Sequence, residues 1–245
     1  MRPAARARLW EDADPDLPSI SDLDRGTLPR AVAGFLKRGA WNKADVLLAV
    51  TREGRFAVKD YAAKSWWVRA TGAMQLAREA RAYELLQGVG GVPRLRRRID
   101  SRAIAVEYVE AVRLPKFHKL SRRPGLVPML EGLLDEVHRR GVVHNDIRSR
   151  DNLLVTPAGR VYLIDFSSAS CFEKSGFRRR LLMPILEKSE RRALLKWKCA
   201  LAPDTMTERD RTHHRRFTRL RKLWPFNLKE DLSVKRAKAA GERSR

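Results

Sequence analysis

The stretch VVHNDIRSRDNLLV, Val142–Val155, sets a His, an Asn and an Asp behind two apolar residues, and an acid–amide pair, Asp151 and Asn152, before a second apolar run. Downstream, VYLID ends on Asp165. Carboxylates and a side-chain amide offer only hard oxygen donors. That is the ligand chemistry of Mg²⁺, which takes one or two carboxylates and fills its shell with phosphate oxygens. The intervening residues supply the means of bringing them together: NLLV, the turn TPAGR and VYLID read as strand, Pro/Gly turn, strand. In such a hairpin the ends of the two strands lie side by side, with opposed Cα atoms ~4.5–5.5 Å apart. Asn152 and Asp165 therefore meet, and Asp146 lies one short loop away. Two carboxylates and an amide oxygen at one point form a candidate Mg²⁺–phosphate site.

Other elements must hold that point against a second set of charges. DVLLAVTREGRFAVKD reads as two strands around Arg52-Glu53-Gly54, with Lys59 at the end of the second. AMQLAREARAYELLQGVGGVP reads as a helix stopped by Gly88, Gly90, Gly91 and Pro93. At about 100° per residue, Leu76, Ala80, Tyr83 and Gln87 share one face, with Glu79 at its edge as the inward-leaning acid. Strands over 95–99 and 104–109 complete a small, mostly antiparallel sheet. LVPMLEGLLDEVHRRG then repeats apolar residues at helical spacing (Leu126, Met129, Leu130, Leu133, Leu134, Val137), with Gly141 as its cap, and delivers the chain to His144, read as a loop-ordering residue. FRRRLLMPILEKSERRALLKWKCALAP is a helical scaffold with Trp197 in its core.

From about Gly39 to about Lys198 these residues resemble the protein-kinase-like superfamily. HND at His144–Asp146 is similar to its H-R-D loop, DFS at Asp165–Ser167 to its D-F-G, and FAVK ending at Lys59 to its V-A-I-K. The resemblance implies an α+β bilobal fold: a small antiparallel-sheet N-lobe with one helix, and a mostly helical C-lobe. It implies ATP and Mg²⁺ as cofactors. Lys59 would hold the α- and β-phosphates and pair with Glu79, Asp146 would orient and deprotonate the attacking hydroxyl, and Asn152 and Asp165 would hold Mg²⁺. Arg148 stands where many members carry a Lys that contacts the transferred phosphate. Gly39 belongs to the phosphate loop KRGAWNKADV, and the backbone of VEYVE, with Glu107 and Val109, would take adenine.

The departures are specific. Asn152 follows Asp146 by six positions, one more than the family spacing, which leaves Asp151 as a rival ligand. The phosphate loop has the single glycine Gly39, Ser167 replaces the last Gly of D-F-G, and no A-P-E follows. In these respects the chain resembles the bacterial lipopolysaccharide-core sugar (Kdo/heptose) kinases and the RIO-type kinases more than signalling kinases. The implied activity is transfer of the γ-phosphoryl group of ATP to a hydroxyl, with the acceptor open among a lipopolysaccharide or other glycolipid sugar, a protein Ser/Thr and a small metabolite. The alternatives are a RIO-like protein serine/threonine kinase and a catalytically weak, pseudokinase-like scaffold.

The chain of 245 residues, 43% of them hydrophobic, suits two packed lobes. The expected division is an N-terminal extension (1–38), an N-lobe (39–110), a C-lobe with the catalytic loop and metal site (111–204) and a basic C-terminal segment (205–245). Two cysteines without a CxxC or a paired Cys/His set give no zinc site. No apolar run spans a bilayer and the N-terminus lacks a secretory signal core, so a cytoplasmic protein is expected. A net charge of +23 points to a polyanionic partner, and residues 171–245, with 22 basic and 9 acidic, hold +13 of it. Within Thr207–Asn227, Phe217, Leu220, Leu223 and Trp224 form an apolar stripe among arginines. That pattern fits a surface helix docking on an anionic membrane; the alternatives are a lobe helix that packs the stripe on the core with its charges solvated, and RNA binding.

Overall fold

The computed structural model describes residues 16–114, 122–173 and 175–213. Its first sheet begins inside the segment expected to be an extension. Val32–Lys37 forms β1, antiparallel to β2 (Asp45–Thr51), which returns through the two-residue turn Arg52-Glu53 into β3 (Gly54–Asp60). With β4 (Leu95–Asp100) and β5 (Ala103–Glu107) the order is β1-β2-β3-β5-β4, antiparallel throughout. The short helix α1 (Leu28–Ala31) precedes β1. Leu23, Leu28 and Ala31 pack with Leu47, Phe56 and Val58 in a core of their own. Glu53 fixes this segment, accepting hydrogen bonds from the Ser19 hydroxyl and the Ile20 amide. The sheet therefore takes in residues before 39, which the acidic, turn-rich start of the chain did not announce.

Strand periodicity aims Lys59. Successive side chains alternate between faces, so Phe56 and Val58 enter the core under α1 while Ala57 and Lys59 face the other way. That face meets α2 (Trp66–Leu85), which begins seven residues earlier than its periodicity predicts, with Ser65 at the N-cap position. Leu76, Glu79, Ala80 and Tyr83 are its buried stripe. Gln87 is not on that stripe: it lies past the helix end, exposed, and donates to the Leu95 carbonyl at 3.2 Å.

After β6 (Val112–Arg113), α3 (Leu126–Arg139) buries Leu126, Leu130, Leu133, Leu134 and Val137, whereas Met129 is 42% exposed. Gly141 follows at φ +79°, the left-handed value that ends a helix in favour of glycine. The chain enters β7 (Val142–Val143), then the hairpin of β8 (Leu153–Val155) and β9 (Val161–Leu163), with β6 as a third strand. Leu153 pairs with Leu163, so Asn152 and Asp165 leave adjacent strand ends as the hairpin predicts. Gly91 joins the lobes. At φ +92° its carbonyl accepts the Leu163 amide at 2.8 Å, and a Cβ there would lie 2.7 Å from the Val161 oxygen.

β10 (Ser170–Cys171) pairs with β7, and α4 (Phe177–Leu201) closes the C-lobe. Fully buried Trp197 donates its indole N–H to the Ile147 carbonyl at 2.7 Å. One turn-pair earlier, buried Glu190 accepts the Asn145 amide at 2.6 Å and bonds His138 Nε2 at 2.6 Å. Among the described residues no helix is long and apolar enough to cross a membrane. The segment 214–245, with the expected stripe Phe217, Leu220, Leu223 and Trp224, lies outside the described residues, as do residues 1–15.

Glu190 is thus the acceptor on which two elements converge. Glu190→Ala leaves the Asn145 amide and the buried His138 ring without this partner, at about 1–3 kcal/mol each. Urea unfolding should show that loss, and Glu190→Gln, which keeps an oxygen for the Asn145 amide, should lose less.

Candidate active site

The N-lobe and C-lobe charges meet at one ammonium. Lys59 Nζ lies 2.6 Å from Glu79 Oε1 and 2.8 Å from Asp165 Oδ1. Burial disfavours a charged lysine, but the two carboxylates outweigh it and hold Lys59 protonated well above its ordinary range. Asp165 responds in the opposite sense: burial works against its ionisation, yet Lys59 beside it and the Ser167 hydroxyl, which donates to Oδ1 at 2.8 Å, hold its carboxyl far below the usual carboxylate range. Burial pushes the Tyr83 hydroxyl up, so it stays protonated beside Glu79. Ser167, which replaces a glycine in the resemblance, thus has a definite partner.

The backbone around the site is unusual. Asn145 (φ +66°) and Asp165 (φ +67°) are the non-glycine residues in the left-handed region among those described. Asn and Asp tolerate that conformation better than other side chains. Here each is also tied down: Asn145 Nδ2 donates to the Ser168 carbonyl and the Ser170 hydroxyl, both at 2.9 Å. The turn at Asp165 aims its side chain, still 41% exposed, toward Lys59.

The residues of the loop from His144 to Asn152 fold onto one another. Asn152, 4% exposed, donates Nδ2 to both the main-chain oxygen and Oδ2 of Asp146 at 2.9 Å. The amide's remaining donor atom toward a cation is therefore its Oδ1. Asp151 points elsewhere, with Oδ2 4.0 Å from Lys37 Nζ and 41% of its side chain exposed. Surrounding protein raises the Asp146 carboxyl, against the lowering hydrogen bond from Asn152. His144, fully buried, accepts the Asp146 amide at Nδ1 (3.2 Å), so its Nε2 is the protonated nitrogen and donates to the Ile164 carbonyl (3.0 Å). Burial holds its pKa down, which keeps the ring neutral and fixed as a loop-ordering group. Arg148 is half-buried on the same loop, next to the fully buried Ile147.

The remaining predicted residues fall at the rim. Glu107 ends β5; its amide donates to the Arg94 carbonyl at 2.9 Å and its side chain accepts the Arg94 amide. Val109 is half-buried in the link from β5 to β6. The Gly39 N–H donates to Asp45 Oδ1 at 2.8 Å, and Lys64 clamps both Asp45 and the Gly39 carbonyl. Its small size serves the loop's own closure, since a Cβ would lie 2.2 Å from the Ala44 oxygen. The cation this loop offers is Lys43, exposed, whose charge works against the rise of the Asp146 carboxyl without cancelling it. Lys43 was not legible as a site residue, because a single Lys in a loop carries no periodic signal. Glu190 was hidden for the opposite reason, lying in a helix that read wholly as scaffold.

Among the described residues no group of three or more His, Cys, Asp or Glu could hold a metal ion. One carboxylate and one amide oxygen, from Asp165 and Asn152, would make a partial shell of hard donors. That set suits a cation whose other ligands are phosphate oxygens and water, as Mg²⁺ prefers.

No protein-family model matches the chain, and no curated protein matches it in sequence. Solved structures do match. The Rio2 kinase of Chaetomium thermophilum aligns at 14% identity over 74% of this chain and 62% of that one, with a TM-score of 0.53. Its complex described as ADP/Mg²⁺-phosphoaspartate aligns at 14% identity over 73% and 62%, with a TM-score of 0.51. The chain spans 62% of the length of each. At this identity the likeness is one of fold: an antiparallel sheet with a helix followed by a largely helical lobe, the bilobal protein-kinase-like architecture.

Proposed function

We propose that the chain is an ATP- and Mg²⁺-dependent phosphotransferase acting on a hydroxyl acceptor. The observation that carries this reading is the single ammonium, Lys59, bonded at once to α2 through Glu79 and to the C-lobe through Asp165, with Asp146 and Asn152 joined beside it. Lys59 is charged and fixed, so it suits the α- and β-phosphates without having to be organised when nucleotide arrives. Asp165 and Asn152 Oδ1 would hold the cation. When bound, Mg²⁺ supplies charge neutralisation for the phosphate oxygens. The backbone between β5 and β6, at Glu107 and Val109, would take the adenine edge. Lys43 would lie over the transferred group, with Arg148 on the opposite loop.

Asp146 would accept the hydroxyl proton. Its raised carboxyl moves toward the range where a base is useful, while the Asn152 amide keeps it oriented. The acceptor favoured here is a sugar hydroxyl of a glycolipid, in keeping with the resemblance to lipopolysaccharide-core sugar kinases. A second reading, a protein serine or threonine, is favoured by the likeness to Rio2 kinase.

Incubation with γ-labelled ATP, Mg²⁺ and separated membrane and soluble fractions should label an acceptor in the membrane fraction, and label confined to soluble proteins would favour the second reading. Asp146→Asn should reduce incorporation about a hundredfold or more while retaining nucleotide binding. Incorporation equal to wild type would overturn the assignment of the loop. Mg-ATP should also raise the melting temperature by several degrees through mass action on the native state. Lys59→Met should melt lower on its own, having stranded buried Glu79, and should lose most of the nucleotide-dependent rise. A folded wild type with no rise at saturating Mg-ATP would point to a scaffold.

A further inference from the structure

α4 carries two apolar faces, and only one is covered. At about 100° per residue, Met183, Glu190, Ala193, Leu194 and Trp197 form its inner face, all buried. Phe177, Leu181 and Ile185 recur every fourth residue on the opposite side, and are 76%, 53% and 63% exposed. Leu182, 40% exposed, lies outside this strip, past Arg178 at the border with the inner face. Lys188 and Arg192 prolong the same outer line into the following turns, and Arg178 and Arg180 flank it, all exposed. Over Phe177–Arg192 there are six basic residues and two acidic ones, of which Glu190 is buried. A lone exposed apolar residue needs no explanation, but a strip of three on one helix does.

The charge selects the occupant. A second copy of the chain presents the same basic rim. The chain's own residues 214–245, outside the described residues, carry 11 basic and 3 acidic side chains, so they too are repelled. Nucleic acid would meet the arginines but gains nothing from aliphatic Leu181 and Ile185, which neither stack nor hydrogen-bond. The partner must be anionic and apolar in one surface. An amphipathic helix with Lys and Arg around Phe and Leu is the composition that lies in a bilayer interface containing anionic lipid.

We infer that the outer face of α4 docks the protein on an anionic membrane surface, with Phe177, Leu181 and Ile185 entering the acyl boundary and the cations at headgroup level. The docking stands on exposure and charge and does not require phosphoryl transfer. Its meaning for the reaction rests on the function proposed above. The inner face of the same helix holds the Asn145 amide through Glu190, so the Asp146 loop would sit about one helix diameter, ~10–12 Å, from the lipid surface. A lipid-linked acceptor could then be reached without leaving the membrane.

The test is cosedimentation of the full chain with phosphatidylcholine vesicles and with vesicles that also contain phosphatidylglycerol, at low and moderate salt. Wild type should bind only the anionic vesicles and more weakly as salt rises. Leu181→Ser/Ile185→Ser should weaken binding about tenfold or more, with an unchanged melting temperature because both side chains are exposed. Phe217→Ser/Trp224→Ser should retain binding. No binding of wild type to anionic vesicles overturns the inference, as does binding undiminished by Leu181→Ser/Ile185→Ser. Loss only in Phe217→Ser/Trp224→Ser assigns docking to the C-terminal segment and equally overturns it. None of these readouts depends on catalysis, so an inactive but vesicle-binding protein would count against the proposed activity and not against docking.

Discussion

One buried ammonium ties the molecule together. Lys59 stands on the central strand of the N-lobe sheet, and its two short ion pairs reach the helix α2 and the C-lobe turn at Asp165. Glu79 is 1% exposed, so its charge is tolerable only because Lys59 is beside it. The pairing fixes how α2 lies on the sheet and how the β8–β9 hairpin lies beneath both. Phe166 reinforces this at the same point. It is fully buried, with its ring 5.2 Å from Tyr83 on α2 and 4.6 Å from His144. Polar and apolar contacts therefore converge on two consecutive residues, Asp165 and Phe166. A shift of either lobe would disturb both sets.

The C-lobe answers with rigidity of its own. The left-handed turns at Asn145 and Asp165 cost on the order of 1–3 kcal/mol where nothing supports them. Here side-chain bonds to Ser168, Ser170 and Ser167, and the main-chain bond to Glu190, hold them. Only residues 166–176 separate Asp165 from α4. With so short a segment, α4 itself does the work of bracing the loop, through Glu190 and Trp197 on its inner face. That economy leaves its outer face exposed, and the exposed strip is where the charge of the chain becomes useful.

Much of this was legible from residue types alone. The two-strand pattern put Lys59 at a strand end, helical spacing turned Glu79 inward, and the Pro/Gly turn brought Asn152 beside Asp165. The failures have physical causes. α1 was missed because Leu23 and Leu28 stand singly among polar residues, and β1 because its run is broken by Gly34 and stays largely exposed at the sheet edge. Gln87 and Met129 fit their helical periods but lie where no neighbour covers them. Gly39 matched a phosphate-loop position, yet its N–H is taken by Asp45 six residues on, a side-chain bond that no local pattern announces. Glu190 and the outer strip of α4 share a helix whose two faces differ only in what packs against them.

The central claim is that Asp165 and Asn152 form half of a metal site that phosphate completes. The direct measurement is binding of Mn²⁺, as a spectroscopic substitute for Mg²⁺, followed by electron paramagnetic resonance with and without ADP. The account predicts weak Mn²⁺ binding alone, tight binding with ADP, and loss of the ADP-dependent signal in Asn152→Ala but not in Asp151→Ala. Tight Mn²⁺ binding without nucleotide, or an ADP-dependent signal that survives Asn152→Ala and disappears in Asp151→Ala, would contradict it.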